Sequence, residues 1–365
     1  MPWMRRVEVI VTRKDDPSQK TTFNAHRIDF EIRSTVGWPA DTANITLFNL
    51  AIDEVKFLQN KNYGDMYIEI RAGYRDDEDR GASYGGINTY DVSSQSKARI
   101  EVNNILPTIF SGIITNAVGF RRPPEHVTQL FCISKAYGAS TDFKQMNRIQ
   151  PGTKLVDAIR SMAQDYGFGT ISTFGVEDAT MQTVLPRGRV FHDTFLVEFR
   201  KLLGEHNLLF SVTTGEIQIF PDTYGDKDAV DRMSKDREPI KLDANQVIGN
   251  PIAGICTYTL STFLNPTFQP GMILDVSPLL GKELLANGVT SVSGQGIILN
   301  TDQSVFRWAM EDKYFITEVV HHGSTHTIDF QTSVTALLGG NTAMGGKEAV
   351  WQQMYANSGM AMESL

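Results

Sequence analysis

Two cysteines in 365 residues exclude a disulfide framework as the source of stability. Cys132 and Cys256 each sit in an apolar, alternating stretch, LFCIS and GICTYTL. They read as buried thiols in a reducing compartment, with one disulfide between them as the alternative. Positive charge is also short. Thirty-four Lys and Arg stand against 42 Asp and Glu, a net charge of −8, so no overall positive field holds nucleic acid and only a local basic patch could. No apolar run is long enough to span a bilayer. The first residues, MPWMRRVEVIV, turn polar after Val11 and lack a signal peptide's apolar core, so synthesis and folding are expected in the cytoplasm.

Chemical motifs are missing as well. There is no GxxxxGK[ST], no GxSxG and no helical zinc-protease spacing. Gly81, Gly85 and Gly86 read as loop glycines, and Asp76, Asp77, Glu78 and Asp79 as a solvated acidic loop without the spacing of a calcium loop. His321, His322 and His326 are the densest group of metal-ligand type. A hairpin turning at Gly323-Ser324 would pair His321 with His326, but two imidazoles fall short of a zinc shell, so the histidines read as structural. Trp3, Trp38, Trp308 and Trp351 are too scattered for one carbohydrate-stacking platform. No catalytic, cofactor or metal residues emerge, and the chain is expected not to be an enzyme.

What the sequence does have is period-two patterning. Val7, Val9 and Val11 alternate with Arg6, Glu8 and Ile10. In HRIDFEIRS, Ile28, Phe30 and Ile32 alternate with charged residues. Such stretches are half-buried antiparallel strands. ANITLFNL, MYIEIRAGY, ARIEV, PTIFSGIITNAV and HVTQLFCIS follow, with a short helix, EVKFLQN, capped by Asp53. Residues Arg75 to Ser96 lose all apolar periodicity and read as a long loop. Arg121-Arg122 before Pro123-Pro124 reads as a solvated corner or subunit contact.

Near Tyr137 the character changes. Leu155, Ile159, Met162, Ala163 and Tyr166 are spaced for one helix, and Phe195, Phe199, Leu202 and Leu203 for a second. NLLFSVTTGEIQIFP then predicts a hairpin around Thr214-Gly215. DTYGDKDAVDRMSKDRE reads as a polar linker. From Ile240 strands return, in IAGICTYTLS, GMILDVS, YFITEVVHH and HTIDFQTSVTAL. There is an internal echo. FNL, GDMYIEI and IFSGIITNAVG early in the chain parallel FLNP, PGMILDV and FITEVVHHG late in it, which suggests two related β-domains flanking an insert.

The fold class is therefore mainly β (α+β). The predicted domains are 1–136, a first β-barrel-like domain; 137–239, an α+β insert with linker; 240–338, a second β-barrel-like domain; and 339–365, a C-terminal tail. In the tail Val350, Trp351 and Met354 share one face at helical spacing and could form a docking arm on a partner protein.

Those phrases in that order resemble the baseplate hub family of contractile tails, which includes the late control protein D group and the N-terminal part of type VI secretion spikes. The phrases are ITLFNL, GDMYIEIRAGY, IFSGIITNAVG, PGTKLVDAIRSMAQDYG, FRKLLGEHNLLFSVTTGEIQIFP, FLNPTFQPGMILDVS and YFITEVVHHGSTHTIDFQTSVTAL, covering most of residues 26 to 338. The resemblance implies a ring-shaped homotrimer in the virion's tail baseplate. Two similar β-domains per chain would adapt a six-fold tail tube to a three-fold central spike. Tube protein, spike protein, tape measure protein and adjacent baseplate proteins would be partners, and DNA would pass through the channel without specific binding. The type VI spike's β-helix has no counterpart in this sequence, so the spike is expected to be a separate protein. A tail-associated cell-wall hydrolase, or a receptor- or carbohydrate-binding module, are the alternatives.

Overall fold

The computed structural model describes residues 5–36, 41–59, 65–74, 106–134, 148–165, 168, 170–190, 193, 195–213, 216–222, 227–242, 244–253, 257–276, 291–293, 296–298 and 313–338. The Arg75–Ser96 loop, Tyr166, Thr214-Gly215, Cys256, all four tryptophans and the tail from residue 339 lie outside them, and with the tail Val350, Trp351 and Met354.

The first β-rich stretch forms β1 (Arg5–Arg13), β2 (Lys20–Phe23), β3 (Ile28–Thr35), β4 (Thr42–Phe48), β5 (Met66–Tyr74), β6 (Thr108–Arg122) and β7 (Glu125–Ser134). Their alternating apolar residues bury on one face: Val7, Val9, Val11, Ile28, Ile32, Ile45, Leu47, Ile68, Ile70 and Leu130 are almost wholly inaccessible. Helix α1 (Ile52–Leu58) closes this core with Leu58. Its N-cap is Ala51 rather than the expected Asp53. Glu54 reaches back to accept a hydrogen bond from the Ala51 amide at 2.8 Å, which satisfies the chain entry from the third helical position.

The middle of the chain holds α2 (Leu155–Asp165), β8 (Ile171–Thr173), α3 (Asp178–Met181), α4 (Phe195–Gly204), β9 (Leu208–Thr213), β10 (Glu216–Pro221) and α5 (Lys227–Asp236). The stripes of α2 and α4 meet over a three-stranded mixed sheet, β8-β10-β9, with Phe199 edge-on to Phe210 at 5.1 Å. The stretch expected as a polar linker contains α5. Ala229, Val230 and Met233 are buried, and their three- and four-residue spacing puts them on one face of an otherwise charged segment. Apolar residues that few give little signal in a composition dominated by Asp, Lys and Arg. The helix joins two parts of the molecule. Val230 and Met233 pack with Phe220 of β10 and with Ile273 and Phe315 of the later β-rich stretch.

That stretch comprises β11 (Ile240–Lys241), β12 (Val247–Ala253), β13 (Thr257–Phe263), β14 (Ile273–Asp275), β15 (Ser291–Ser293), β16 (Gly296–Ile298), β17 (Lys313–Ser324) and β18 (Phe330–Leu338). β15 and β16 pair with each other. The others do not stand apart from the first seven strands. β17 pairs with β3 from Glu318↔Thr35 to Ser324↔Asp29, so all belong to one sheet of order β12-β13-β18-β17-β3-β4-β7-β6-β5-β1-β2. Every pairing in it is antiparallel except the short β11–β14 contact.

The junction is reinforced at the β17–β18 turn. Thr325 exchanges hydrogen bonds with Ile28, its amide donating to the Ile28 carbonyl and its hydroxyl accepting from the Ile28 amide, both at 3.0 Å. Phe330 lies edge-on to Phe30 and Tyr74, and the Arg5 guanidinium sits 5.3 Å from its ring centre. The turn lies beyond Ser324 rather than at Gly323-Ser324, so the expected His321–His326 pairing is replaced. His321 is opposite Thr332, and His326 is exposed in the turn. Gly323 remains in the strand because the rings of Phe30 and Phe330 occupy the space of a Cβ, at 2.9 and 2.6 Å.

Candidate assembly surface

Among the described residues no three His, Cys, Asp or Glu side chains come together in a way that could hold a metal. Cys132 is buried, and burial pushes its thiol far above the usual range, which leaves it unreactive. The features that stand out are the faces and edges of the large sheet.

Cα partners can be followed across eight strands, β6-β7-β4-β3-β17-β18-β13-β12. One row runs Ile114, Cys132, Ala43, Ile32, His321, Thr332, Thr262 and Val247, and all but the half-buried Val247 are buried. The next row runs Ile113, Ile133, Thr42, Arg33, Val320, Ser333, Ser261 and Ile248, and all are half-buried or exposed. Alternation thus gives one continuous open face spanning both β-rich stretches. It mixes hydroxyl and amide side chains with apolar ones such as Ile113, Ile133, Val320 and Ile248. Its ionised side chains include Asp29, Glu31, Arg33 and Glu318, Arg27 paired with Asp29 and Glu125, and Arg122 opposite Glu125 at the far end of β6. Arg33 is paired with Glu318.

The echo seen in the sequence is a repeat in topology. The order β3-β4-β7-β6-β5 recurs as β12-β13-β18-β17-β14. The bulges coincide: β6 breaks register against β7 between Ile114 and Asn116, and β17 against β18 between Ile316 and Glu318. Aligning those bulges fixes the rest. Tyr67 pairs with Ile113 as Ile273 pairs with Phe315, which superposes MYIEI of β5 on MILDV of the second unit. Asn44 pairs with Phe131 as Thr259 pairs with Thr335, which superposes Phe48 on Phe263.

The units differ in the strand beyond β5 and β14, antiparallel β1 in one and parallel β11 in the other, and in what covers them. In the second unit, α5 and Phe220 of the insert cover Ile273 and Phe315. Their counterparts Tyr67 and Ile113 are only half-buried.

No family model matches the chain, and no curated protein matches it in sequence. Solved structures do match in fold. A tail protein from Neisseria meningitidis MC58 superposes with a TM-score of 0.52 at 8% identity, covering 91% of this chain and 96% of that one. The 43 kDa tail protein of prophage MuSo2 from Shewanella oneidensis gives 0.51 at 6%, covering 94% and 98%. A chain of the half-lidded Francisella PdpA–VgrG complex gives 0.50 at 9%, covering 92% of this chain and 58% of that one. At such identities the similarity is one of fold. It extends over more than nine-tenths of this chain, so the protein is built on the fold of phage tail proteins.

Proposed function

We propose that the protein is a non-enzymatic baseplate hub of a contractile phage tail, acting as a homotrimer around a central channel. The observation that carries this reading is the repeat with a one-sided insert. Two units of the same strand order per chain give six similar positions in a trimer, matching a six-fold tube. The insert packs on one unit of each pair, so the ring alternates and is three-fold where it meets a spike. Symmetry is adapted by packing alone and needs no catalyst.

The open face would line the channel for tape measure and DNA, and its Arg27 and Arg33, held by carboxylates, would offer phosphates little to stick to. The Francisella fold relative is a chain of a PdpA–VgrG complex, which supports partnership with spike and neighbouring baseplate proteins in the virion. The tail residues Val350, Trp351 and Met354 are proposed as an arm on one of those neighbours. The test is the copy number in assembled particles and the solution mass by light scattering. Three copies about the axis are expected, and two, four or six would overturn the reading.

A further inference from the structure

We infer that the outer half of β6 is a docking edge for β12 of a second copy of this chain, with Phe120 opposite Ile252 of that copy. The inference rests on the ring proposed above and specifies how it closes.

The internal junction supplies the template. β14 pairs with only the start of β17, Lys313 to Phe315. The rest of that edge, from Glu318 to Ser324, is taken by β3. In the first unit β5 likewise pairs with only the start of β6, Thr108 to Ile113. The corresponding remainder, Asn116 to Arg122, pairs with β7 on one side and with no described strand on the other. A nine-residue stretch from Ile114 to Arg122 therefore presents an edge with no strand partner among the described residues, the usual template for strand addition.

The repeat names the strand that belongs there. The counterpart of β3 is β12, which is terminal in the sheet and pairs only with β13 among the described residues. Within the chain β12 does not pair with β6. A second copy can supply it. Such a head-to-tail contact generates a closed ring when its rotation closes.

Register makes the prediction specific. At the internal junction His322 faces Glu31. With the bulges aligned, Phe120 takes the place of His322, because Asn116 corresponds to Glu318. Ile252 takes the place of Glu31, because Ile252 pairs with Thr259 as Glu31 pairs with Asn44. Both are large apolar side chains left open in the single chain, Phe120 46% and Ile252 45% exposed, and both lie on the same face of the sheet. An aromatic opposite a β-branched residue is a favourable cross-strand pair. On the open face the junction inside the chain has the polar pair His322 and Glu31, where the one between chains has an apolar pair.

The test is disulfide trapping in the full-length protein. Residues directly opposite in antiparallel strands have Cα atoms within the span of a disulfide. The double variant Phe120→Cys/Ile252→Cys, oxidised at the concentration where light scattering shows the trimer, should give covalent dimers and trimers on a non-reducing gel. Either single variant, and the wild type with its native cysteines, should stay monomeric on that gel. Phe120→Asp should shift the solution mass towards monomer without lowering the melting temperature of the monomer. A trimeric double variant that does not cross-link overturns the edge assignment and leaves the ring standing. A wild type that is monomeric at every concentration overturns both.

Discussion

His321 Nδ1 lies 2.8 Å from Thr332 Oγ1 across β17 and β18, on the buried face where the two β-rich stretches merge. Burial first, and the neighbouring His322 second, hold this imidazole down at about 4, against its usual 6.5. Between those values the unfolded chain binds a proton that the native chain does not. The stabilising contribution is therefore present above pH 6.5 and is lost as the pH falls through 4, on the order of 3 kcal/mol. His321→Gln keeps an amide for Thr332 and cannot titrate. Urea unfolding at pH 7 and pH 4.5 should show a smaller acid loss in the variant than in the wild type. Equal losses would mean that His321 is not the titrating group.

Asp41 acts with the opposite sign. It is buried between β3 and the end of β7, its carboxylate accepting from the Thr35 amide at 3.3 Å while its carbonyl accepts from the Ser134 amide at 2.8 Å. Desolvation raises its carboxyl from 3.8 to about 7, against the hydrogen bonds from Thr35 and Ser34. The native chain here holds a proton that the unfolded chain releases, so this contribution is full below pH 3.8 and is lost as the pH rises through 7. Asp41→Asn should be more stable than the wild type at pH 8, by on the order of a few kcal/mol, with little difference at pH 3.5. A variant less stable than the wild type at pH 8 would show that the carboxylate is compensated.

Gly271 fixes the joint between the insert and the second unit. Its φ is +87°, its amide donates to the Ile316 carbonyl at 2.8 Å, and a Cβ would lie 2.0 Å from Cζ of Phe220. That ring is stacked on Phe174 and edge-on to Phe315, at 6.0 and 5.8 Å, and has nowhere to retreat. Gly271→Ala combines backbone strain with overpacking and should cost about 2–5 kcal/mol. Gly249 is the control. Its φ is +72° with no atom within 4 Å of a Cβ, so Gly249→Ala should cost only about 1–2 kcal/mol. Thermal melts of the two variants should differ clearly, and equal shifts would mean that Phe220 gives way.

The strands and the two main helices were legible because alternation and 3.6-residue spacing follow directly from which face is buried. The echo of MYIEI and MILDV was legible for the same reason, since matching strands bury matching positions. Three things were not. Helix α5 hides its three buried residues among charges, and only Phe220, Ile273 and Phe315, distant in sequence, explain why it folds there. The β17–β18 turn lies where glycine does not: Gly323 serves ring packing and Thr325 the turn. The continuity of the sheet depends on β3 meeting β17, a pairing across nearly 300 residues that no local pattern encodes. The proposed docking edge was least visible of all, since Phe120 and Ile252 look like ordinary strand residues until the strand pairing is laid out.

The open face makes a final prediction about DNA. Affinity for duplex DNA comes mainly from cations placed against phosphates, and log affinity falls with log salt in proportion to their number. Arg33 is paired with Glu318 and Arg27 with Asp29 and Glu125, so neither guanidinium is free for a phosphate. The purified trimer should therefore bind duplex DNA weakly and without a steep salt dependence. Reversing the face tests whether its charge matters. Glu31→Lys with Asn44→Lys places two cations on residues that are direct Cα partners, both exposed. In the ring proposed above those cations would face one channel, and binding should then appear at low salt and weaken steeply as salt rises. A wild type that already binds tightly with a steep salt slope would contradict the channel assignment. A charge-reversed variant that still trimerises but gains no affinity would place this face away from any lumen the DNA can enter.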